Sequence, residues 1–239
     1  MKRFILSVAA LIAVTFAVKA ASSMDNVELN SLNVDYSAIR SFIDKKPAEY
    51  QSLLDRFVAA DTTLTLEEVS ILYYGSRIKH ISASSAKGEN ATSKEANTSA
   101  NIDHLLKEKN FTGAYEACID KNLVSPMEAK TQLQGFKASL EISNLVETNN
   151  FRIRLRQLLN VILASGDGKS TDTAFKVVNV DDEYVIINLV FAAQSIKSQS
   201  LLHEHDNSYD KMEVVFADQT VSMYFEVTLW MEYLKDIFN

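Results

Sequence analysis

Apolar residues recur at helical spacing in the first third of the chain, where they predict short amphipathic helices. The first covers residues 35–46, with Asp35 as its N-cap, and Pro47 ends it. Proline is tolerated in the first turn of a helix, so Pro47 also begins a second helix that runs to Ala60. The inward positions of the two helices are Tyr36, Ile39, Phe42, Ile43, Tyr50, Leu53, Leu54, Phe57 and Val58.

The stretch DTTLTLEEVSILYYG, Asp61–Gly75, contains a turn, a helix start and an apolar face. Thr65 and Glu68 have the spacing of a capping box, in which each side chain accepts a hydrogen bond from the other residue's backbone N–H. Gly75 has the residue type of a C-cap, although Ser76–Ile81 can also continue the helix. Three short helices with tight connections are expected to pack together.

Residues 82–101 interrupt this pattern. The segment SASSAKGENATSKEANTSAN has no large apolar side chain. Such a segment buries too little surface to offset its ordering entropy, so we expect a flexible polar insert. It is the best candidate for a domain boundary, or it is an insertion within one domain.

From residue 102 to residue 164 the helical spacing returns. It predicts helices over residues 102–109, 111–121, 126–146 and 151–164. Small residues at close-packing positions, and the similar lead-ins KEKNF and ETNNF, are typical of tetratricopeptide-like helix pairs. The spacing exceeds the period of that repeat and its tryptophan is missing, so the region is helical-repeat-like, with an ordinary bundle as the alternative.

After Ser165–Gly168 the hydrophobic period changes. β-Branched and aromatic residues on both sides of Asp181–Glu183 predict two strands, or a strand and a helix start. Tyr209–Phe216 and Val221–Val227 predict a hairpin, and residues 228–239 predict a last helix or a docked end. The expected fold class is α+β: an N-terminal helical bundle with helical-repeat-like hairpins, followed by a small antiparallel sheet.

The first twenty residues have the pattern of a secretory signal peptide. Lys2 and Arg3 precede the apolar run Phe4–Val18, which is too short to span a bilayer. Val18 and Ala20 place the cleavage site after Ala20. We therefore expect an exported protein, periplasmic or secreted, with no membrane span after signal removal.

These boundaries give the predicted domain organisation. It comprises a signal peptide over residues 1–20, N-terminal helices over 21–81, the polar insert over 82–101, the helical-repeat-like region over 102–164 and a β-rich part over 165–239. Residues 21–239 are expected to form one compact unit.

Charge and cysteine content exclude some classes of function. The formal net charge of −7 becomes about −10 once the three basic residues of the signal peptide are removed. So acidic a chain lacks the basic surface of a nucleic-acid-binding protein. Cys118 is the single cysteine, and its apolar neighbours predict a buried thiol.

Three stretches together resemble a known family. They are DTTLTLEEVSILYYG (Asp61–Gly75), ILASGDGKSTDTAFKVVNVDDEYVII (Ile162–Ile187) and YFEV (Tyr224–Val227). They look like the exported bacterial proteins grouped as domain of unknown function 4919, and the similarity spans roughly residues 34–227. The resemblance implies export and this order of helices and sheet, but it implies no chemistry.

Two groups of residues are candidate binding sites. Tyr73 and Tyr74 point about 100° apart on a helix, so we expect one in the core, while the other is free to line a groove for a sugar or peptide. Asp181, Asp182 and Glu183 concentrate carboxylates that are capable of acid–base work or calcium binding. A solvated turn is the simpler interpretation of these three residues.

Two further motifs point to no ligand. Gly168-Lys169-Ser170 resembles the end of a phosphate-binding loop but lacks its first glycine. His203-Glu204-His205-Asp206, with Asp210 after it, has potential metal ligands without the spacing of a zinc site, so we interpret it as a polar surface loop. The sequence therefore predicts no metal and no cofactor, and the catalytic residues are unknown.

Two functions from different classes fit these observations. The first is a non-enzymatic scaffold in the cell envelope that binds a protein or peptide partner, and the absence of a catalytic motif favours it. The alternative is a glycan- or small-ligand-binding module, or a hydrolase that uses Asp181–Glu183. Geometry separates them, because an enzyme needs several of these polar residues in one concave pocket. The oligomeric state is open.

Overall fold

The computed structural model describes residues 28–87, 101–217 and 219–238. Helices come first along the chain and a four-stranded sheet follows, which confirms the α+β class. No helix within the described residues is long and apolar enough to cross a membrane. The predicted signal peptide, residues 1–20, lies outside the described residues.

Contacts divide the chain into two compact units, whereas we expected one for residues 21–239. The helical unit contains Val34–Val161 and Leu229–Asn239. The sheet unit contains Ile162–Thr228 and the segment that ends at Asn33. The division at residue 161 lies close to the change of hydrophobic period that follows Ala164. The polar insert is not a boundary between units, because the residues on both sides of it belong to the helical unit.

The first three helices follow the predicted pattern and pack against one another. They are α1 (Tyr36–Lys45), α2 (Pro47–Val58) and α3 (Leu66–Lys87). The Asp35 side chain accepts a hydrogen bond from the N–H of Ala38 at 2.9 Å and caps α1. The capping box of α3 is also present. The Thr65 hydroxyl accepts from the Glu68 N–H at 3.2 Å, and the Glu68 carboxylate accepts from the Thr65 N–H at 2.8 Å.

Helix α3 passes through Gly75 instead of ending there. A Cβ at Gly75 would lie 2.9 Å from both Ile43 Cδ1 and Tyr50 Cε2, so this glycine lets α1 and α2 approach α3. The helix then continues to Lys87, so the first six residues of the predicted flexible insert are helical. Serine and alanine are compatible with a helix that is already nucleated. Residues 88–100 lie outside the described residues.

Among the described residues, the second group contains four helices, as predicted, but the third and fourth have different bounds, because the break expected between residues 146 and 151 lies instead between residues 141 and 145. The helices are α4 (residues 101–107), α5 (Phe111–Val124), α6 (Ala129–Glu141) and α7 (Leu145–Ala164). The expected helix over residues 126–146 is broken after Glu141, where Ser143 has φ of 58°. Asn144 caps α7 by accepting from the N–H of Glu147 at 3.3 Å. The tetratricopeptide-like relation between these helices stays a prediction.

The sheet has the strand order β1-β4-β3-β2. Its strands are β1 (Phe175–Lys176), β2 (Ser195–Glu204), β3 (Asn207–Phe216) and β4 (Gln219–Glu226). The antiparallel pair of β3 and β4 confirms the predicted hairpin. The sheet is mixed instead of purely antiparallel, because β1 runs parallel to β4. Phe175, Met212, Val214 and Phe225 are fully buried in this unit.

Strand β2 has no counterpart in the prediction, because its sequence SIKSQSLLHE lacks a regular alternation. It pairs antiparallel with β3 across a two-residue turn. The turn residues His205 and Asp206 have φ of 49° and 67°, the left-handed conformation that a type I′ hairpin requires. The HEHD motif is therefore the exposed end of the β2–β3 hairpin.

The second strand predicted after Asp181–Glu183 is instead helical. Residues Val180–Val185 form α8, which continues as a π-helix over Ile186–Val190. This outcome matches the alternative of a strand followed by a helix start. Three acidic residues in the first turn of α8 lie where the helix dipole favours negative charge.

A last helix, α9 (Thr228–Phe238), confirms the prediction for the C-terminal residues. Its ring side chains contact α3 within the helical unit. The Arg77 guanidinium lies 4.2 Å from the ring centroid of Tyr233 and 5.0 Å from that of Trp230. These cation–π contacts join the end of the chain to the N-terminal helices.

Candidate functional site

The structure buries both tyrosines that the sequence offered as a binding site. Tyr73 and Tyr74 are fully buried in the helical unit, and their ring centroids lie 5.0 Å apart. The Tyr36 ring of α1 lies 5.7 Å from Tyr74. Because both side chains are fully buried, neither ring lines a surface groove.

The three adjacent carboxylates separate on α8. Asp181 is exposed, whereas Asp182 and Glu183 are fully buried. The solvated turn is thus wrong for two of the three residues, because they lie in α8 and their side chains are buried. The group does not present three carboxylates to a single ligand.

Glu183 faces Asp210 of β3. Neither carboxyl oxygen of Glu183 accepts a hydrogen bond from an N–H or hydroxyl donor among the described residues. Burial, followed by the charge of the nearby Asp210 carboxyl, raises the pKa of Glu183 to about 10. Burial also raises the pKa of Asp210. At neutral pH, Glu183 is therefore protonated and can donate a hydrogen bond to Asp210.

A chain of hydrogen bonds links this carboxyl pair to β2. Gln199 Nε2 donates to Asp210 Oδ2 at 2.7 Å, and Tyr184 Oη donates to Gln199 Oε1 at 2.9 Å. Tyr184 belongs to α8 and Gln199 to β2, so the chain fastens the helix, β2 and β3 together. Chemically, the carboxyl pair can hold one shared proton. It stays out of reach of a substrate, because Glu183 is fully buried and Asp210 nearly so.

Strand β2 is the open edge of the sheet. It pairs with β3 on one side, and no described backbone group bonds to its other side. All but two of its ten residues are exposed. A strand edge of this kind presents unpaired N–H and C=O groups that can bond to another strand.

The register of the β2–β3 hairpin shows which backbone N–H and C=O groups of β2 point away from β3. Glu204 and Asn207 flank the two-residue turn and therefore form a hydrogen-bonded pair, and such pairs alternate along the ladder. It follows that Gln199, Leu201 and His203 direct their N–H and C=O groups away from β3. These three residues and the backbone between them are called the β2 edge below.

The other motifs have structural roles. In the GKS loop, the Asp167 carboxylate accepts from the Lys169 N–H at 3.1 Å and from the Thr173 hydroxyl at 2.6 Å, and Gly168 has φ of 68°. His203 Nδ1 lies 3.0 Å from Ser208 Oγ across the hairpin. Among the described residues, no three His, Cys, Asp or Glu side chains are arranged to hold a metal ion.

Comparison with known protein families shows to which family the chain belongs. The family model described as Domain of unknown function (DUF4919) matches residues 37–235. The chain belongs to this family. The searches of curated proteins and of solved structures find no match. The DUF4919 domain therefore includes the helices from α1 onwards, the whole sheet and most of α9.

Sequence reasoning missed Gln199 and Leu201 of this DUF4919 domain, and it considered Asp210 only as a potential metal ligand. A signal for Asp210 was present, because Asp210, Met212 and Val214 alternate along β3 and share the buried face of the sheet. A carboxyl on an apolar strand face indicates a buried acid. No comparable signal existed for Gln199 and Leu201, because the exposed sequence of β2 lacks a period.

Proposed function

We propose that this DUF4919 protein is a non-enzymatic interaction module that binds an extended polypeptide segment along the β2 edge. The added segment would form a fifth strand next to β2. The single observation that carries the proposal is the ten-residue, largely exposed strand at the end of the sheet order. Strand addition of this kind obtains affinity from main-chain hydrogen bonds.

The composition of β2 supports this proposal. Edge strands are usually protected by proline, by several lysines, by bulges or by being very short. Strand β2 has no proline, and its only bulge lies between Ile196 and Ser198, next to its one lysine. From Ser198 to His203 the strand carries no Asp, Glu, Lys or Arg, so this part of the edge is unprotected.

We further propose that the module acts outside the cytoplasm, as a scaffold in the cell envelope. This part of the proposal rests on the signal-peptide pattern of residues 1–20. In that location its partner would be another exported polypeptide.

The alternative function, in which Asp181–Glu183 hydrolyse or bind a glycan or small ligand, has weaker support. Acid–base catalysis requires carboxyl groups that touch the substrate. Asp182 and Glu183 are fully buried, and Asp181 is exposed apart from them. The geometry therefore favours a structural role for Glu183, in which it fastens the β2 edge through Asp210 and Gln199.

Site-specific photo-crosslinking in the producing cells tests the proposal. A photoreactive amino acid replaces Leu201 on the β2 edge or, as a matched control, Leu189 of the π-helix. Both leucines are 45% exposed, so they differ in location and not in accessibility. We expect a covalent adduct with a polypeptide from position 201 and none from position 189. No adduct from position 201, or equal adducts from both positions, would overturn the proposal.

A proline variant tests whether the adduct depends on the outward backbone N–H groups of β2. The Leu201 N–H points away from β3, so Leu201→Pro removes an outward donor and leaves the β2–β3 ladder intact. When the photoreactive amino acid replaces His203, the adduct should form in the otherwise wild-type protein and should be lost when Leu201→Pro is added. The circular dichroism spectrum should be the same with and without Leu201→Pro. Ser200→Pro is the contrasting variant, because the Ser200 N–H bonds to β3 and its loss should destabilise the fold.

A further inference from the structure

We propose that the segment added to the β2 edge is the β2 strand of a second copy of this chain. The two strands would pair antiparallel about a two-fold axis that places Leu201 opposite the same residue of the second copy. This inference rests on the proposed function, since it names the occupant of the same edge. The resulting dimer would have one sheet that continues through both copies.

Symmetry and the ends of β2 select this register. The outward groups of Gln199, Leu201 and His203 must form the hydrogen-bonded pairs of the new ladder. The bulge between Ile196 and Ser198 limits the ladder at one end, and the turn at His205 limits it at the other. Only a register centred on Leu201 pairs all three outward residues, because any shift moves one of them opposite the bulge or the turn.

Side chains on the new pairs are compatible. Leu201 is 45% exposed in one copy, and pairing with its equivalent would cover two apolar side chains. Gln199 would lie opposite His203 of the second copy, and Ser198 opposite Glu204. No two carboxylates and no two lysines face each other in this arrangement.

Charge complementarity favours the antiparallel orientation. Strand β2 carries Lys197 near its start and Glu204 at its end, followed by Asp206 in the turn. An antiparallel partner brings the Lys197 end of one strand close to the Glu204 end of the other. A parallel partner would instead bring like charges together along the edge.

The size of the contact indicates a reversible dimer. A single strand edge buries less surface than the roughly 1,200 Å² of a standard specific interface. Association at micromolar or higher protein concentration is therefore expected, and sedimentation should show a monomer–dimer equilibrium. Leu201→Lys places two ammonium groups in the central pair and should abolish the dimer.

Cysteine crosslinking measures the register directly. Cys118 is fully buried, and burial raises the pKa of its thiol to about 12, so an introduced cysteine is the only reactive one. Opposed residues in a hydrogen-bonded pair have Cα atoms about 5.5 Å apart, within the range of a disulfide. We expect Leu201→Cys to oxidise to a disulfide-linked dimer of doubled mass, and the equally exposed Leu189→Cys to form no disulfide-linked dimer.

Two further cysteine variants distinguish this register from registers in which the two strands are shifted along each other. Gln199→Cys alone and His203→Cys alone should form no disulfide-linked dimer, whereas a mixture of the two should form a disulfide-linked heterodimer. Self-crosslinking of Gln199→Cys in place of Leu201→Cys would overturn the proposed register.

The two proposals fail in different ways. A wild-type protein that sediments as a monomer, together with a photo-adduct between Leu201 and a different protein, would overturn the second copy as the occupant and would support strand addition. The absence of any polypeptide adduct at Leu201 would overturn both. A photo-adduct of twice the chain mass supports both.

Discussion

Burying an ionised carboxyl in a protein interior is unfavourable unless it is paired, so a fully buried glutamate requires an explanation. Glu183 avoids this cost because it keeps its proton and is neutral, and it faces the Asp210 carboxyl. The hydrogen bond from Gln199 to Asp210 then extends the interaction to β2. The carboxyl pair is thus a structural device that holds the edge strand in place.

The protonation of Glu183 predicts a pH dependence of stability. Below its ordinary pKa of 4.5 both the folded and the unfolded state hold the proton, and the full stability is present. As the pH rises towards about 10, the unfolded state releases the proton while the folded state keeps it. The free energy of unfolding should therefore fall by up to about 1.4 kcal/mol per pH unit for this group.

Urea unfolding followed by circular dichroism, from about pH 5 to pH 9, measures this slope. Glu183→Gln cannot ionise, so its slope should be shallower than that of the wild type. Asp181→Asn removes the exposed neighbouring carboxyl, whose charge is the smallest cause of the raised pKa of Glu183, and should leave most of the slope in place. An identical slope in Glu183→Gln and wild type would mean that the folded state holds Glu183 ionised.

At the scale of elements, several helices end without the glycine that usually marks a helix end. After α2, α4 and α6 the left-handed residues are Ala60, Lys109 and Ser143, with φ of 56°, 57° and 58°. After α6, the Asn144 N–H donates to the Ser139 carbonyl at 2.9 Å and the Ser143 N–H donates to the Leu140 carbonyl at 3.0 Å. These bonds form a Schellman motif. With only six glycines in the chain, non-glycine residues adopt this conformation.

This geometry predicts opposite effects of glycine at two nearby positions. Ser143→Gly relieves a left-handed non-glycine residue and should raise the free energy of unfolding by up to about 1 kcal/mol. Lys137→Gly, at an exposed position inside α6, should lower it by about 1 kcal/mol because glycine disfavours a helix interior. Urea unfolding of the two variants checks the signs. A loss of stability in Ser143→Gly would contradict the assignment of the helix end.

The same feature explains why the sequence placed a helix over residues 126–146. Without a glycine or proline near Ser143, the helical spacing continued through the actual end of α6. Strand β2 was missed for a related reason, because its exposed positions carry no pattern. Only pairing with β3 makes that segment a strand.

At the scale of the whole molecule, the chain forms a helical unit and a sheet unit. Each unit is built from two separate stretches of the chain. The chain passes from one unit to the other three times: after Asn33, after Val161 inside α7, and after Thr228 at the start of α9. The order of helices followed by a sheet was readable from the change in hydrophobic period. The hydrophobic pattern alone therefore indicated the α+β class.

The sequence by itself determined the local features of this protein. The Asp35 cap, the Thr65–Glu68 capping box, the β3–β4 hairpin and the buried Cys118 depend on neighbours in the chain or on apolar periodicity, both of which a sequence displays. The tertiary structure alone decided which carboxyl groups are buried, which strand lies at the edge and that both Tyr73 and Tyr74 are buried. These properties depend on residues far apart in sequence, such as Glu183 and Asp210, whose proximity follows from the packing of α8 on the sheet.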